Sequence, residues 1–199
     1  ARGFAVTAVD SSERMLDLIR TRAEAEGLSV ETLRADANAL PVADSSIDLV
    51  LALGLLPWVE DPTAVLKEIS RVLRPGGAVV LSSDNRWRLA EIADPALSAL
   101  AAPLRRRVKA RVRQSQRHHL DGFVVRRHST AELRTLLEGQ GFDVLATATL
   151  GYGPITFMRR PVASPAAGVR IDAALSRYRD SRLLRALGVH VVASAKLRA

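Results

Sequence analysis

The feature that most constrains this chain is the strict alternation in its first 82 residues of short apolar runs with amphipathic stretches. Ala5-Val6-Thr7-Ala8-Val9 is apolar and rich in β-branched residues, and reads as a buried strand. It ends in Asp10, and Ser11 or Ser12 can cap a following helix. Met15, Leu16, Ile19 and Ala23 form the stripe of that helix, which runs to about Glu26 and stops at Gly27. Val30 to Leu33 is a second strand, Arg34 to Ser46 a loop around Pro41, and Ile47 to Leu53 a third strand, apolar almost throughout. Asp61-Pro62 opens a helix with an acidic cap and a proline in the first turn. Val65, Leu66, Ile69, Val72 and Leu73 line one face of it. Arg74-Pro75-Gly76-Gly77 then reads as a turn before a fourth strand, Ala78 to Ser82. Strand and helix in alternation predict an α/β fold with a mostly parallel, doubly wound sheet.

Beyond Asp84 the pattern changes. Asp84 to His128 is rich in Ala, Leu and Arg and predicts a helical insertion broken at Pro95 and Pro103. Ser129-Thr130-Ala131-Glu132 has capping-box spacing, and a helix should follow to about Gln140. Phe142 to Thr149 reads as a strand, Leu150 to Gly168 as a loop, Ile171 to Leu187 as an arginine-rich helix and Val189 to Lys196 as a last strand. A single domain of 199 residues, with 84–128 as a cap, is the simplest organisation.

Composition narrows the chemistry. There is no cysteine, which excludes disulfides, thiolate metal sites and cysteine nucleophiles. Four histidines without paired spacing argue against a zinc site, and no metal is expected. No apolar run approaches the ~20 residues of a membrane span, and a cytoplasmic location is the default expectation. The net charge of +8 comes almost wholly from arginine and is densest in Arg105 to Arg117. Such a surface can meet nucleic acid phosphates or an anionic lipid. With 4% aromatic residues there is little material for base stacking, so solvated helix faces are the preferred reading.

Asp10 is the first candidate binding residue. It ends a strand just before a helix, where open α/β sheets bind ligands, and a carboxylate there can accept from both hydroxyls of a ribose. It can equally serve only as a helix cap. The stretch from Arg34 to Ser83 adds Asp36-Ala37, Leu40-Pro41, Asp48-Leu49-Val50, Asp61-Pro62 and Leu73-Arg74-Pro75-Gly76-Gly77, in that order. This resembles the central region of class I S-adenosylmethionine-dependent methyltransferases, in the group that includes ubiquinone and menaquinone biosynthesis enzymes. With Asp10 the resemblance covers the first 83 residues.

The resemblance implies a Rossmann-like sheet with an antiparallel last strand, and S-adenosyl-L-methionine as cofactor. It implies Asp10 at the cofactor ribose, Ser11 beside the adenine, Asp36 at the adenine amino group with Ala37 next to it, and Leu53 and Gly54 at the methionine end. The alternative for Asp36 is a loop aspartate that closes a local turn. The family's first strand and Gly-x-Gly-x-Gly loop are not among these residues: counting back the usual ~20 positions from Asp10 runs off the chain. That strand would lie between those beginning near Ala5 and Ile47, and its absence would leave two internal edges unpaired and weaken cofactor binding. Relatives often carry histidines where this chain has Pro57-Trp58; Pro57 cannot be a base, and Trp58 could wall a pocket or join the core. His118, His119, His128 and Tyr152 are the candidate bases, none of them assigned. The expected reaction is methyl transfer to a small organic acceptor, quinone-like, polyketide or lipid. An RNA methyltransferase and a non-catalytic scaffold are the alternatives; the oligomeric state stays open.

Overall fold

The computed structural model describes residues 3–89, 92, 94, 125–153, 156–157, 160–178, 181 and 184–198. Most of the expected insertion, including Arg105 to Arg117, His118 and His119, lies outside the described residues.

β1 (Thr7–Asp10) is followed by α1 (Glu13–Ala25) and β2 (Glu31–Arg34), and the two strands pair in parallel with Asp10 opposite Arg34. β3 (Ile47–Ala52), α2 (Pro62–Val72) and β4 (Leu73–Asp84) form a second parallel unit. α2 starts as its sequence requires: Asp61 accepts from the Thr63 N–H at 2.9 Å, and Pro62 occupies the first turn. After the described part of the insertion come α3 (Thr130–Gly139), β5 (Phe142–Leu150), the two-residue strands β6 (Thr156–Phe157) and β7 (Arg160–Pro161), α4 (Pro165–Ser176) and β8 (His190–Leu197).

The main sheet has the order β3-β4-β8-β5. β8 runs antiparallel to both β4 and β5, which therefore run alike. The last strand is thus antiparallel as expected, and it is threaded between two earlier strands. One face of this sheet carries the core. Val79 and Leu81 of β4, and Val191, Ala193 and Ala195 of β8, pack against Val65, Leu66 and Ile69 of α2 and Leu133 and Leu137 of α3. On the opposite face Leu49 and Leu51 of β3, and Leu53 beyond it, are 46%, 62% and 63% exposed. Among the described residues β1 pairs with β2 alone and β3 with β4 alone, so each keeps one open edge.

Two segments differ from the sequence reading. Arg74-Pro75-Gly76-Gly77 is drawn into β4, whose ladder begins at Leu73 and shifts register between Ile47 and Leu49 to absorb the turn residues. Gly77 is needed there, since a Cβ would meet the Arg74 carbonyl oxygen at 2.9 Å. The helix expected over Ile171 to Leu187 begins earlier, at Pro165, and ends at Ser176. Ser164 caps it and Pro165 fits its first turn, a start signal stronger than the arginine-rich pattern downstream. No helix among the described residues is long and apolar enough to cross a membrane.

Candidate functional site

The site is built on the carboxyl ends of parallel strands. Asp10 closes β1 and is half-buried. One of its carboxylate oxygens accepts from the Ser12 N–H at 2.8 Å, which starts α1, and its second oxygen is not needed for that bond. Ser11 is exposed, and its carbonyl accepts from Arg34 Nε at 3.2 Å.

Asp36 follows β2 closely, because the Ala35 N–H donates to the Asp10 carbonyl at 3.2 Å and holds the two strand ends together. Its carboxylate accepts from both the backbone N–H and the side-chain amide of Asn38, each at 2.8 Å. That is the local turn expected of a loop aspartate. Asp36 remains exposed, with its other oxygen outside this turn, while Ala37 packs against the main core.

From there the loop descends along α2. Leu40 N–H donates to Glu68 at 2.8 Å, and Arg71 donates to the Leu40 and Val42 carbonyls at 3.0 and 2.9 Å. Arg71 also pairs with Glu68 and Asp44, and its hydrogen bond holds the Glu68 carboxyl below the ordinary carboxylate range. The Ser45 and Ser46 N–H groups then reach the Arg71 and Val72 carbonyls, and β3 begins at Ile47. Asp36 and Ala37 therefore stand toward the N-terminal end of α2, the side on which β3 ends.

Leu53 and Gly54 leave β3 there. Gly54 has φ +72°, and open space lies where a Cβ would be. Its N–H donates to Ser82 Oγ at 2.9 Å, which ties the end of β3 to the end of β4. Ser82 was not singled out in the sequence, although the polar run Ser82-Ser83-Asp84 at the end of an apolar strand is a usable signal.

The candidate bases separate. Tyr152 is buried, and its hydroxyl donates to the Leu184 carbonyl at 3.3 Å. His128 is 8% exposed and its Nδ1 lies 2.7 Å from Ser83 Oγ, in β4. Burial pushes the His128 ring below the ordinary imidazole value; Glu132 opposes this, and Arg86 and Arg126 add to it. Trp58 is 54% exposed and so not a core residue. Among the described residues no group of His, Asp and Glu is arranged to hold a metal ion.

Whether these residues fit the expected cofactor can be judged from the donor set. An adenosine presents a ribose diol and an amino group, all donors. Asp10 and Asp36 each keep an accepting oxygen beyond their local bonds, and both lie at carboxyl ends. They fit its adenosine part.

Residues 1–81 match the family described as "Methyltransferase domain". The chain is 30% identical over 156 residues to the ubiquinone biosynthesis O-methyltransferase of Caulobacter sp. (strain K31), covering 77% of this chain and 57% of that protein. It is 39% identical over 87 residues to the tRNA 5-carboxymethoxyuridine methyltransferase of Escherichia coli (strain K12), covering 42% of this chain and 33% of that protein. It spans between 30% and 57% of the length of such curated relatives. Among solved structures, a methyltransferase from Methanosarcina mazei superposes with a TM-score of 0.61 at 18% identity, covering 99% of this chain and 84% of that one, a likeness of fold. Residues 1–81 therefore belong to the methyltransferase-domain family, and the fold is the Rossmann-like one of S-adenosylmethionine-dependent methyltransferases.

Proposed function

We propose that this chain carries the adenosine side of an S-adenosylmethionine site and transfers the methyl group to a small organic acceptor. The observation behind this is that Asp10, Asp36, Leu53 and Gly54 each stand at or just past the carboxyl end of β1, β2 or β3, the end at which an open α/β sheet binds its ligand. Asp10 binds the ribose diol with Ser11 beside the adenine. Asp36 accepts from the adenine amino group next to Ala37. Leu53 and Gly54 border the methionine end. The bound sulfonium supplies an activated methyl group, so the chain's work is chiefly to hold donor and acceptor in line.

The open edges of β1 and β3 support a further parallel strand between them, carrying the glycine-rich loop. The whole forms one domain, with 84–128 as the cap over the acceptor. On this reading the 199 residues alone bind S-adenosylhomocysteine weakly.

Calorimetric titration of S-adenosylhomocysteine into the natural full-length protein tests the reading. Micromolar binding that Asp10→Ala and Asp36→Ala each weaken is expected. Undiminished binding in both variants would remove the assigned roles, and no binding by the natural protein would favour a non-catalytic scaffold.

An RNA acceptor is the second reading, favoured by the likeness to a tRNA methyltransferase and by the charge of +8. Binding to tRNA that weakens steeply with salt supports it; no retention at low salt removes it.

A further inference from the structure

Resting on that reading, we propose that His128, positioned by Ser83, takes the proton released by the methyl acceptor. The placement comes from the backbone. Residues 125–128 run alongside the end of β4: the His128 N–H donates to the Asp84 carbonyl at 2.9 Å, and Arg86 N–H to the His128 carbonyl at 3.2 Å. The β8 flank of β4 is already taken at this level, by the Asn85 N–H to the Val189 carbonyl. His128 therefore lies on the other flank, in line with β3 and beyond the point where β3 has ended at Ala52. The Arg126 N–H donates to the Pro57 carbonyl at 2.9 Å and ties this segment to the turn that follows Leu53 and Gly54. By its backbone His128 thus lies just past the strand end assigned to the methionine side of the cofactor.

Its surroundings suit a base. Ser83, fully buried in β4, fixes Nδ1. Nε2 takes no partner among the described residues. Among the described residues the charged groups that act on the ring are Glu132 from α3, Arg86 after β4 and Arg126 of its own segment. Arg86 and Glu132 pair with each other at 2.7 Å. The neighbouring Asp84 carboxylate pairs with Arg88 and His190. With its pKa depressed by burial, the ring is neutral near pH 7.

The step balances. Nδ1–H donates to Ser83 Oγ, and the Nε2 lone pair accepts the proton of an acceptor O–H or N–H. The electron pair so freed on the acceptor forms the bond to the methyl carbon. The carbon–sulfur bond breaks with its pair left on sulfur, and the imidazolium passes its proton to water. His128 acts as catalytic base and Ser83 as a positioning residue.

The role requires one tautomer, and two-bond proton–nitrogen NMR of the imidazoles reads it in this chain without any cofactor. The His128 signals, assigned by their loss in His128→Gln or by their shift in Ser83→Ala should the first variant not fold, are expected as neutral Nδ1–H. The Nε2–H tautomer overturns the proposal. In the natural protein, with methyl-tritiated S-adenosylmethionine and a cellular small-molecule extract, His128→Gln is expected to lower kcat by about 10²-fold or more. The Kd for S-adenosylhomocysteine should stay within twofold. Ser83→Ala should move the acid limb of the kcat profile, which a purely structural serine would leave in place. Unchanged kcat in His128→Gln, or methylation only of acceptors without an ionisable proton, overturns the proposal while cofactor binding stands. Absence of cofactor binding defeats the underlying reading itself.

Discussion

Replacing Ser129 by alanine tests the best-defined local device in the molecule. Ser129 Oγ accepts from the Glu132 N–H at 3.2 Å, and the Glu132 carboxylate accepts from the Ser129 N–H at 2.7 Å and from its hydroxyl at 3.0 Å. Two otherwise unpaired N–H groups at the start of α3 are thereby satisfied. Loss of such a cap costs about 1 kcal/mol, within about 0.5–2. The Arg86–Glu132 ion pair adds less: the two side chains are 52% and 39% exposed, and a pair so open contributes roughly 0.2–1 kcal/mol. The cap therefore dominates. Ser129→Ala should lower the urea-unfolding free energy by about 1 kcal/mol and Tm by about 2–4 °C. Glu132→Gln supplies the pH test. The hydrogen bond from the Ser129 N–H holds the Glu132 carboxyl below its ordinary value of 4.5. A lowered carboxylate stabilises fully above 4.5, and the contribution fades as pH falls through the folded-state value. The gap between wild type and Glu132→Gln should be full at neutral pH and close in that acid range. A Ser129→Ala cost under about 0.3 kcal/mol, below the usual span for a cap, or a Glu132→Gln gap independent of pH, would refute the reasoning.

Three further outcomes are expected. Gly77→Ala should destabilise by about 1–3 kcal/mol in denaturant titration, because its Cβ would press on the Arg74 and Asp48 carbonyl oxygens at 2.9 and 3.2 Å. Leu51→Lys should change the stability of this chain by no more than about 0.5 kcal/mol, whereas Val79→Lys, on the opposite and fully buried face, should abolish cooperative unfolding. Asp10→Asn keeps an acceptor for the Ser12 N–H and so the fold by circular dichroism, but should weaken S-adenosylhomocysteine binding by the natural protein about tenfold, roughly 1.4 kcal/mol by calorimetry.

What the sequence determined by itself is local in origin. The strand and helix order through Asp84, the Asp61-Pro62 start and the Ser129–Glu132 capping box all rest on groups within a few residues of each other. Backbone geometry fixes their contacts once the element forms. Asp10 could be read as a strand-end carboxylate for the same reason. Only the tertiary structure decided the rest. Threading β8 between β4 and β5 depends on which edges find partners, and apolar alternation is the same for each of them. The Gly54–Ser82 bond joins residues 28 apart and the Ser83–His128 contact residues 45 apart, so neither leaves a trace in spacing. The leucines of β3 read as buried from hydropathy alone. They are exposed because burial belongs to the neighbouring layer, and on that face the described residues supply none over β3.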